Sequence, residues 1–311
     1  MNIDNTSTPL VSIVVPVYNR ENVILETIDS ALSQDYPNFE VVVVDNNSTD
    51  KTLEKISLRK DERLKVFRNN RNIGPVRNWA KAIEYANGEF VKILWSDDLM
   101  HESFLSKSLK FFGSNTAFVL SNINFIGGSH AGYKTLEKER IVTTKDYIND
   151  VIMKNNYPVS PGCAIFRKSD LKRSLLINIP NEIGIDFSRI AIGNDLIIFL
   201  KIALDYNEVK ILSEPLNAFR LHSDSISVKS GNQILDFHYD FAKLFFVTKY
   251  YPELLRYIST KIYFTFIVNQ KKEPYKNYQI NDLIELKNTR IEILVKLILK
   301  RLYEKLNLFR G

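Results

Sequence analysis

Three apolar runs constrain this chain more than any other feature: "LVSIVVPVYN" (Leu10 to Asn19), "FEVVVVDNNSTD" and "EFVKILWSDD". Each is rich in valine and isoleucine, and each stops abruptly on polar residues. A strand with one wet face alternates apolar and polar side chains; these do not, so both faces must be covered. Helical spacing lies between them. "ENVILETIDSALSQ" sets Val23, Ile24, Thr27, Ile28, Ala31 and Leu32 on one stripe, and "GPVRNWAKAIEYANG" opens on Gly74-Pro75 and stops at Gly88. "KTLEKISLR" reads as a short helix and "LKVFRNN" as a further strand. Strands alternating with helices in this way predict an α/β protein, with a Rossmann-like, mostly parallel sheet flanked by helices.

Open sheets of this kind take ligands at the carboxyl ends of their strands. Three polar clusters fall there: Pro16-Val17-Tyr18-Asn19, Asp45-Asn46-Asn47-Ser48 and Ser96-Asp97-Asp98. The adjacent carboxylates of Asp97 and Asp98 repel, and neither is easily buried without a partner. They are either solvated turn residues or oxygen ligands for a divalent cation.

Beyond about residue 112 the pattern weakens. "TAFVLSNINFI" reads as a strand, "TKDYINDVIMKN" as a helix and "SPGCAIFRKSDL" as strand and turn. "IGNDLIIFLKIALDYN" reads as a helix opening at Asn194-Asp195, and "VKILSEPLNAFRLHSDSIS" as a last strand and polar loop. From Gln233 onward the signal is helical. The expected division is a catalytic domain over 1–228 and a helical C-terminal region over 229–311. Cys163 is the single cysteine of 311 residues, which excludes an intramolecular disulfide framework and fits a reducing, cytoplasmic setting. The N-terminal decapeptide "MNIDNTSTPL" shows no secretory signal, and no apolar window reaches the length of a membrane span.

With these residues laid out, the chain resembles the inverting family 2 glycosyltransferases of the GT-A fold, of the bacterial surface-polysaccharide type. The resemblance rests on "VSIVVPVYNRE", "QDYPNFEVVVVDNNSTDKT", "NNRNIGPVRNWAKAIEYANGEFVKILWSDD", "GNDLIIFLKIA" and "EPLNAFRLHSDSIS", in the family's order over about seven tenths of the chain. It implies a nucleoside-diphosphate sugar donor, UDP- or dTDP-linked, and a saccharide or lipid-linked saccharide acceptor. It implies a divalent metal, Mg²⁺ or Mn²⁺, on the donor diphosphate, held by Asp97 with Asp98 as second ligand or neighbour. The family's first aspartate of that element is here Trp95, which leaves one direct carboxylate as an open arrangement. Pro16 and Tyr18 would border the nucleoside, and Tyr18 equally fits a rim aromatic with no ligand. Asp45 is kept; Asn46 stands where the family commonly has an aspartate that reads the base, and its amide offers an acceptor to the same N–H. Ser48 to Asp50 also suit ordinary helix caps. Arg71 would lie near the diphosphate, with Arg77 as a second candidate, although surface ion pairs explain both. His222 would sit on a loop over the donor, and Gly162 would let an acceptor approach closely. Asp195 would be the general base that removes the acceptor hydroxyl's proton as that oxygen attacks the anomeric carbon. Asn194-Asp195 as a plain helix cap is the competing reading.

Two other function classes were weighed. A non-catalytic sugar-nucleotide-binding or scaffold protein on the same fold stays open because of Trp95 and Asn46. A dinucleotide oxidoreductase needs a glycine fingerprint at the first strand–helix turn, and "VPVYNREN" has no glycine. The net charge of +6 is concentrated late: residues 271–311 carry ten Lys/Arg against five Asp/Glu. In "RIEILVKLILKRLYEKLNLF" an apolar stripe from Ile291 to Phe309 faces Lys296, Lys300, Arg301 and Lys305. That pattern suits peripheral attachment to an anionic membrane, at its inner face, or packing against protein. No nucleic-acid motif accompanies the charge.

Overall fold

The computed structural model describes residues 8–128, 136–222 and 226–278, and the side chains of 226–229 are not considered. The basic segment Ile291–Phe309 and most of the Gly-rich loop after Ile126 therefore lie outside the described residues.

In chain order the elements are β1 (Val11–Val17), α1 (Ile24–Leu32), β2 (Phe39–Asp45), α2 (Thr52–Ile56), β3 (Leu64–Arg68), α3 (Pro75–Tyr85), β4 (Phe90–Ile93), β5 (Leu99–Met100) and α4 (Phe104–Lys110). They continue with β6 (Thr116–Ile126), β7 (Arg140–Thr143), α5 (Thr144–Lys154), β8 (Ala164–Arg167), α6 (Lys168–Ser174), α7 (Phe187–Ile190), α8 (Asn194–Ala203) and β9 (Glu208–Arg220). The last two are α9 (Ile226–Tyr250), broken at Gly231, and α10 (Leu255–Asn269).

One sheet runs β3-β2-β1-β4-β8-β6-β9-β5, with β7 also paired to β9. β3, β2, β1 and β4 are mutually parallel. β8 is antiparallel to both β4 and β6, so β6 and its parallel neighbour β9 share the direction of the first four. The sheet is therefore mostly parallel, as expected. The reversed strands β5, β7 and β8 are two to four residues long, too short to carry a period of their own.

β1 and β2 are buried over all seven residues each, which is why their sequences do not alternate. Successive residues serve opposite faces. Ile13, Val15, Val41 and Val43 pack with Ile24, Ile28 and Phe104 of α1 and α4. Val14, Val42 and Val44 join the larger core with Ala82 and Ile83 of α3 and Ile197 and Phe199 of α8. Phe237, Phe241, Ala242 and Phe246 of α9 and Ile258, Ile262 and Phe266 of α10 enter that same core. The helical C-terminal region thus shares its apolar interior with the sheet.

One register difference positions the site. β1 pairs with β2 as far as Val17↔Asp45, but with β4 only as far as Val14↔Ile93. Past the Leu94 N–H, which still donates to the Val14 carbonyl at 2.9 Å, the β1–β4 pairing stops, and open sheets of this kind take ligands in the crevice at such strand ends. Pro16 sits beyond the last β4 pairing, so its missing N–H deprives that neighbour of nothing.

Candidate active site

The floor of the crevice is stitched from two loops. Asp45, fully buried, accepts from the Ser48 N–H (3.1 Å) and hydroxyl (2.5 Å), and Arg68 Nε lies 3.3 Å away. Ser48 in turn accepts from the Asn19 N–H at 2.9 Å. Asp50 accepts from the Glu21 N–H (3.1 Å) and the Thr52 N–H (3.0 Å), and the Thr52 hydroxyl accepts from the Arg20 N–H at 2.7 Å. The "STD" stretch therefore does more than start a helix: it fixes the backbone on either side of Arg20. Asn19 takes φ +50° here, a conformation asparagine tolerates better than most residues.

Asn46 is spent on this scaffold. Its Oδ1 accepts from Asn69 Nδ2 (3.1 Å) and the Ile73 N–H (3.0 Å), and its Nδ2 donates to Asn72 Oδ1 (2.9 Å) and the Gly74 carbonyl (3.3 Å). All four bonding positions of the amide are filled. In place of the base-reading role expected of it, Asn46 holds the loop that leads into α3. Arg71 lies exposed on that loop, and Arg77 donates to Ser188 Oγ at 2.7 Å. Pro16 is buried at the end of β1, and Tyr18 is 40% exposed on the rim.

The turn after β4 carries the charge. Asp97 Oδ2 accepts from Arg20 Nε at 3.2 Å and lies 2.8 Å from His222 Nε2. His222 comes to it because β5 pairs antiparallel with the end of β9, at Leu99↔Ala218 and Met100↔Asn217. Arg220 binds this turn two ways, its N–H to Asp98 Oδ1 (2.9 Å) and its Nε to the Asp97 carbonyl (3.1 Å), and its Nη2 donates to Glu26 on α1 (2.7 Å). Asp98 is 5% exposed. Burial and the neighbouring Asp97 carboxylate push the Asp98 carboxyl well above the usual aspartate range, against the pull of the Arg220 N–H and the Lys92 and Arg220 charges. Asp98 anchors the turn; Asp97 is the carboxylate at its surface.

Below the turn is a lysine the sequence reading passed over. Lys92 is fully buried in β4, donates to the Gly162 carbonyl and to Asn217 Oδ1 (2.8 Å), and lies 4.2 Å from the Phe104 ring centroid. Burial pulls its ammonium down to about 7, while the Cys163 and Asp98 charges oppose the shift. Its signal was a lone cation inside "EFVKILW". Gly162 is held by this bond and covered by Trp95: a Cβ there would stand 2.8 Å from Trp95 Nε1 and 3.2 Å from Phe219 Cζ. Its missing side chain makes room for the indole, not for an open channel. Trp95 Nε1 donates to Ser160 Oγ at 2.9 Å, and its ring lies 4.8 Å from that of Trp79. Cys163 is buried, its thiol pushed up to about 12 by that burial, as suits a packed residue.

Trp95 also packs on the cluster of Val76, Trp79 and Ala191. Trp95 precedes Asp97 by two residues and Ala191 precedes Asp195 by four, so this cluster joins the turn after β4 to the start of α8. Asp195 is half-buried. Its Oδ1 accepts from the Gly193 N–H (2.9 Å) and the Leu196 N–H (2.8 Å), and its Oδ2 accepts from the Tyr239 hydroxyl of α9 at 2.7 Å. Burial raises its carboxyl to about 6, with the Tyr239 bond as the largest opposing effect. Asn194, fully buried, does not cap the helix: its Nδ2 donates to the carbonyls of Leu176 (2.8 Å) and Ile177 (3.3 Å). Sequence reasoning missed Arg20, Lys92, Arg220 and Tyr239.

Known proteins resemble this chain in sequence and in fold. The profile of glycosyl transferase family 2 matches residues 12–175. A Haemophilus influenzae protein named as an uncharacterized glycosyltransferase is 30% identical over 180 residues, covering 56% of this chain and 68% of that protein. The Escherichia coli UDP-Glc:alpha-D-GlcNAc-diphosphoundecaprenol beta-1,3-glucosyltransferase WfgD is 32% identical over 137 residues, covering 44% of this chain and 54% of that enzyme. The crystal structure of an S. aureus TarS fragment in complex with UDP-GlcNAc superposes with a TM-score of 0.64 at 22% identity, over 89% of this chain and 76% of that one. That likeness shows the GT-A fold. On the match to its profile over more than half its length, the chain belongs to glycosyl transferase family 2, a family of glycosyltransferase enzymes.

Proposed function

We propose that this protein is an inverting glycosyltransferase. It moves a sugar from a nucleoside diphosphate to a hydroxyl of a saccharide or lipid-linked saccharide, in the synthesis of a cell-surface polysaccharide. One observation supports this reading most: the packing of Trp95 on Trp79 and Ala191 links the turn that carries Asp97, a carboxylate in contact with Arg20 and His222, to the start of α8, where Asp195 is half-buried and raised to about 6. WfgD, a relative over less than half of this chain, is named for a UDP-glucose donor and a diphosphoundecaprenol-linked acceptor. By analogy, a UDP- or dTDP-linked donor and a lipid-linked acceptor belong to the proposal.

Asp195 is suited to the base role because a carboxylate near 6 is ionised at neutral pH yet accepts a proton more readily than an ordinary aspartate. Its two backbone donors hold one oxygen, and Tyr239 fixes the other. As an acceptor hydroxyl attacks, Asp195 takes its proton, and no enzyme-linked intermediate is required. At the opposite side Asp97 and His222 supply an oxygen and a nitrogen donor. Among the described residues no three His, Cys, Asp or Glu converge into a cage. The donor set therefore fits a Mg²⁺ or Mn²⁺ ion that completes its shell with substrate phosphate oxygens and water. Such an ion, when bound, neutralises charge on the departing diphosphate. Pro16 and Tyr18 are assigned to the nucleoside, Arg71 to the rim near the diphosphate, and Gly162 to the acceptor side through the indole it supports. The domain division at 228/229 is kept as part of the proposal, with α9 supporting the base.

Substitution Asp195→Asn tests the reading. Turnover should fall by at least about a thousandfold, the order associated with losing a positioned base, while donor binding by calorimetry stays within about twofold. Turnover at the wild-type rate would remove Asp195 from the mechanism.

A further inference from the structure

Arg20, on the loop after β1, is the arginine whose guanidinium reaches the Asp97 carboxylate. Arg220 is committed to Asp97, Asp98 and Glu26, Arg68 to Asp45 and the Ser48 carbonyl, and Arg77 to Ser188. The Arg20 backbone is immobilised by Thr52, with Asn19 and Glu21 tied down on either side. Its side chain is held more lightly. Among the described residues the guanidinium makes two contacts, Nε to Asp97 Oδ2 at 3.2 Å and Nη1 to its neighbour's carbonyl at 3.0 Å. The pair is single rather than a two-pronged fork, and the Arg20 and Asp97 side chains are 25% and 15% exposed. A guanidinium prefers a planar, two-pronged oxyanion partner such as phosphate. This one uses one prong on a carboxylate at the mouth of a crevice.

We infer that Arg20 is a diphosphate-binding residue parked on Asp97 in the unliganded chain, where it competes with the metal for the same carboxylate oxygen. The replacement of the neighbouring acid by Trp95 sharpens that competition, because Asp97 is left as the turn's one surface carboxylate for either cation. When donor arrives, Arg20 passes from Asp97 to the diphosphate oxygens, leaving His222 Nε2, 2.8 Å away, as the remaining side chain on Oδ2. The inference rests on reading Asp97 as the cation-side carboxylate of the proposed function.

Binding measurements on the full chain separate the two. Mn²⁺ alone is titrated and followed by electron paramagnetic resonance, in wild type, Arg20→Gln, Arg20→Lys and Asp97→Asn. UDP alone is titrated calorimetrically in EDTA. Arg20→Gln should bind Mn²⁺ roughly two- to fivefold more tightly than wild type, the range for one partly exposed ion pair. The same variant should bind UDP in EDTA about tenfold more weakly, the size of a lost charge-assisted hydrogen bond. Arg20→Lys should recover part of the UDP affinity. Unchanged Mn²⁺ affinity in Arg20→Gln, or unchanged metal-free UDP affinity, overturns the inference. If Asp97→Asn binds Mn²⁺ as wild type does, the metal assignment fails separately, and the UDP titration still decides whether Arg20 meets the diphosphate.

Discussion

Asp195 shows how little chemistry is needed to bring an ordinary aspartate's proton affinity toward neutral pH. Burial raises it, three hydrogen-bond donors restrain the rise, and the balance falls at about 6. Because it must be ionised to accept a proton, kcat/KM should fall with unit slope as pH drops below about 6. Tyr239→Phe removes the largest restraint. The acid limb should then move to higher pH, with activity at pH 6 reduced roughly tenfold and donor affinity unchanged. A pH–rate profile of both proteins checks this, and a limb that stays put in the variant would leave Tyr239 as packing alone. The linkage runs in the opposite sense for stability. A folded-state value above the ordinary aspartate value of 3.8 makes the native protein the tighter proton binder, so this stabilisation is complete below pH 3.8 and is lost as pH rises through about 6. Neither property was visible in "GNDL". The letters identify a carboxylate at a helix start, and its environment comes from a tyrosine 44 positions away.

The start of α8 depends on how closely α9 can approach it. Gly193 takes φ +104°, and a Cβ there would stand 2.9 Å from Ala242 Cβ and 3.2 Å from Phe187 Cε1. Gly193→Ala would therefore strain the backbone and press α9 away, drawing the Tyr239 hydroxyl off Asp195. A loss of about 2–4 kcal/mol in urea unfolding, with a fall in kcat larger than any change in donor affinity, is expected. The strands tell a different story about legibility. β1, β2 and β4 could be read directly, because burial on both faces leaves no polar alternation. β5 and β7 could not, since two and four residues without a continuous apolar run carry no signal, and both pair with β9 far along the chain; for β8 the strand was legible in "SPGCAIFRKSDL", but its antiparallel pairing with β4 and β6 was not. The gap between β1 and β4 was equally hidden: it depends on where a ladder stops, not on what its residues are. Asn46 was legible only in part, for a related reason. Its place at a strand end was legible, but not the four partners that saturate its amide.

The whole chain joins a sheet whose ligand edge is well marked in sequence to a helical region whose contribution is not. The family profile ends at residue 175, before the start of α8, so Asp195, the base of the proposed function, and the helix that holds it both lie beyond it. No helix among the described residues is long and apolar enough to cross a membrane. The basic stretch from Ile291 to Phe309 was read from sequence alone, and it supports attachment to an anionic surface as part of the proposed function. Changing Lys296, Lys300, Arg301 and Lys305 together to glutamate should abolish co-sedimentation with phosphatidylserine-containing vesicles, since each basic residue near such a surface contributes about 1 kcal/mol. Wild-type protein that ignores those vesicles would dismiss the membrane reading and favour packing against protein.

The three bonds of Arg220 have a mechanical consequence. Through them the turn that carries Asp97 and Asp98 is fastened to the longest strand of the sheet and to α1. Sequence drift around the mouth of the crevice should accordingly be tolerated far better than drift in the last few residues of that strand.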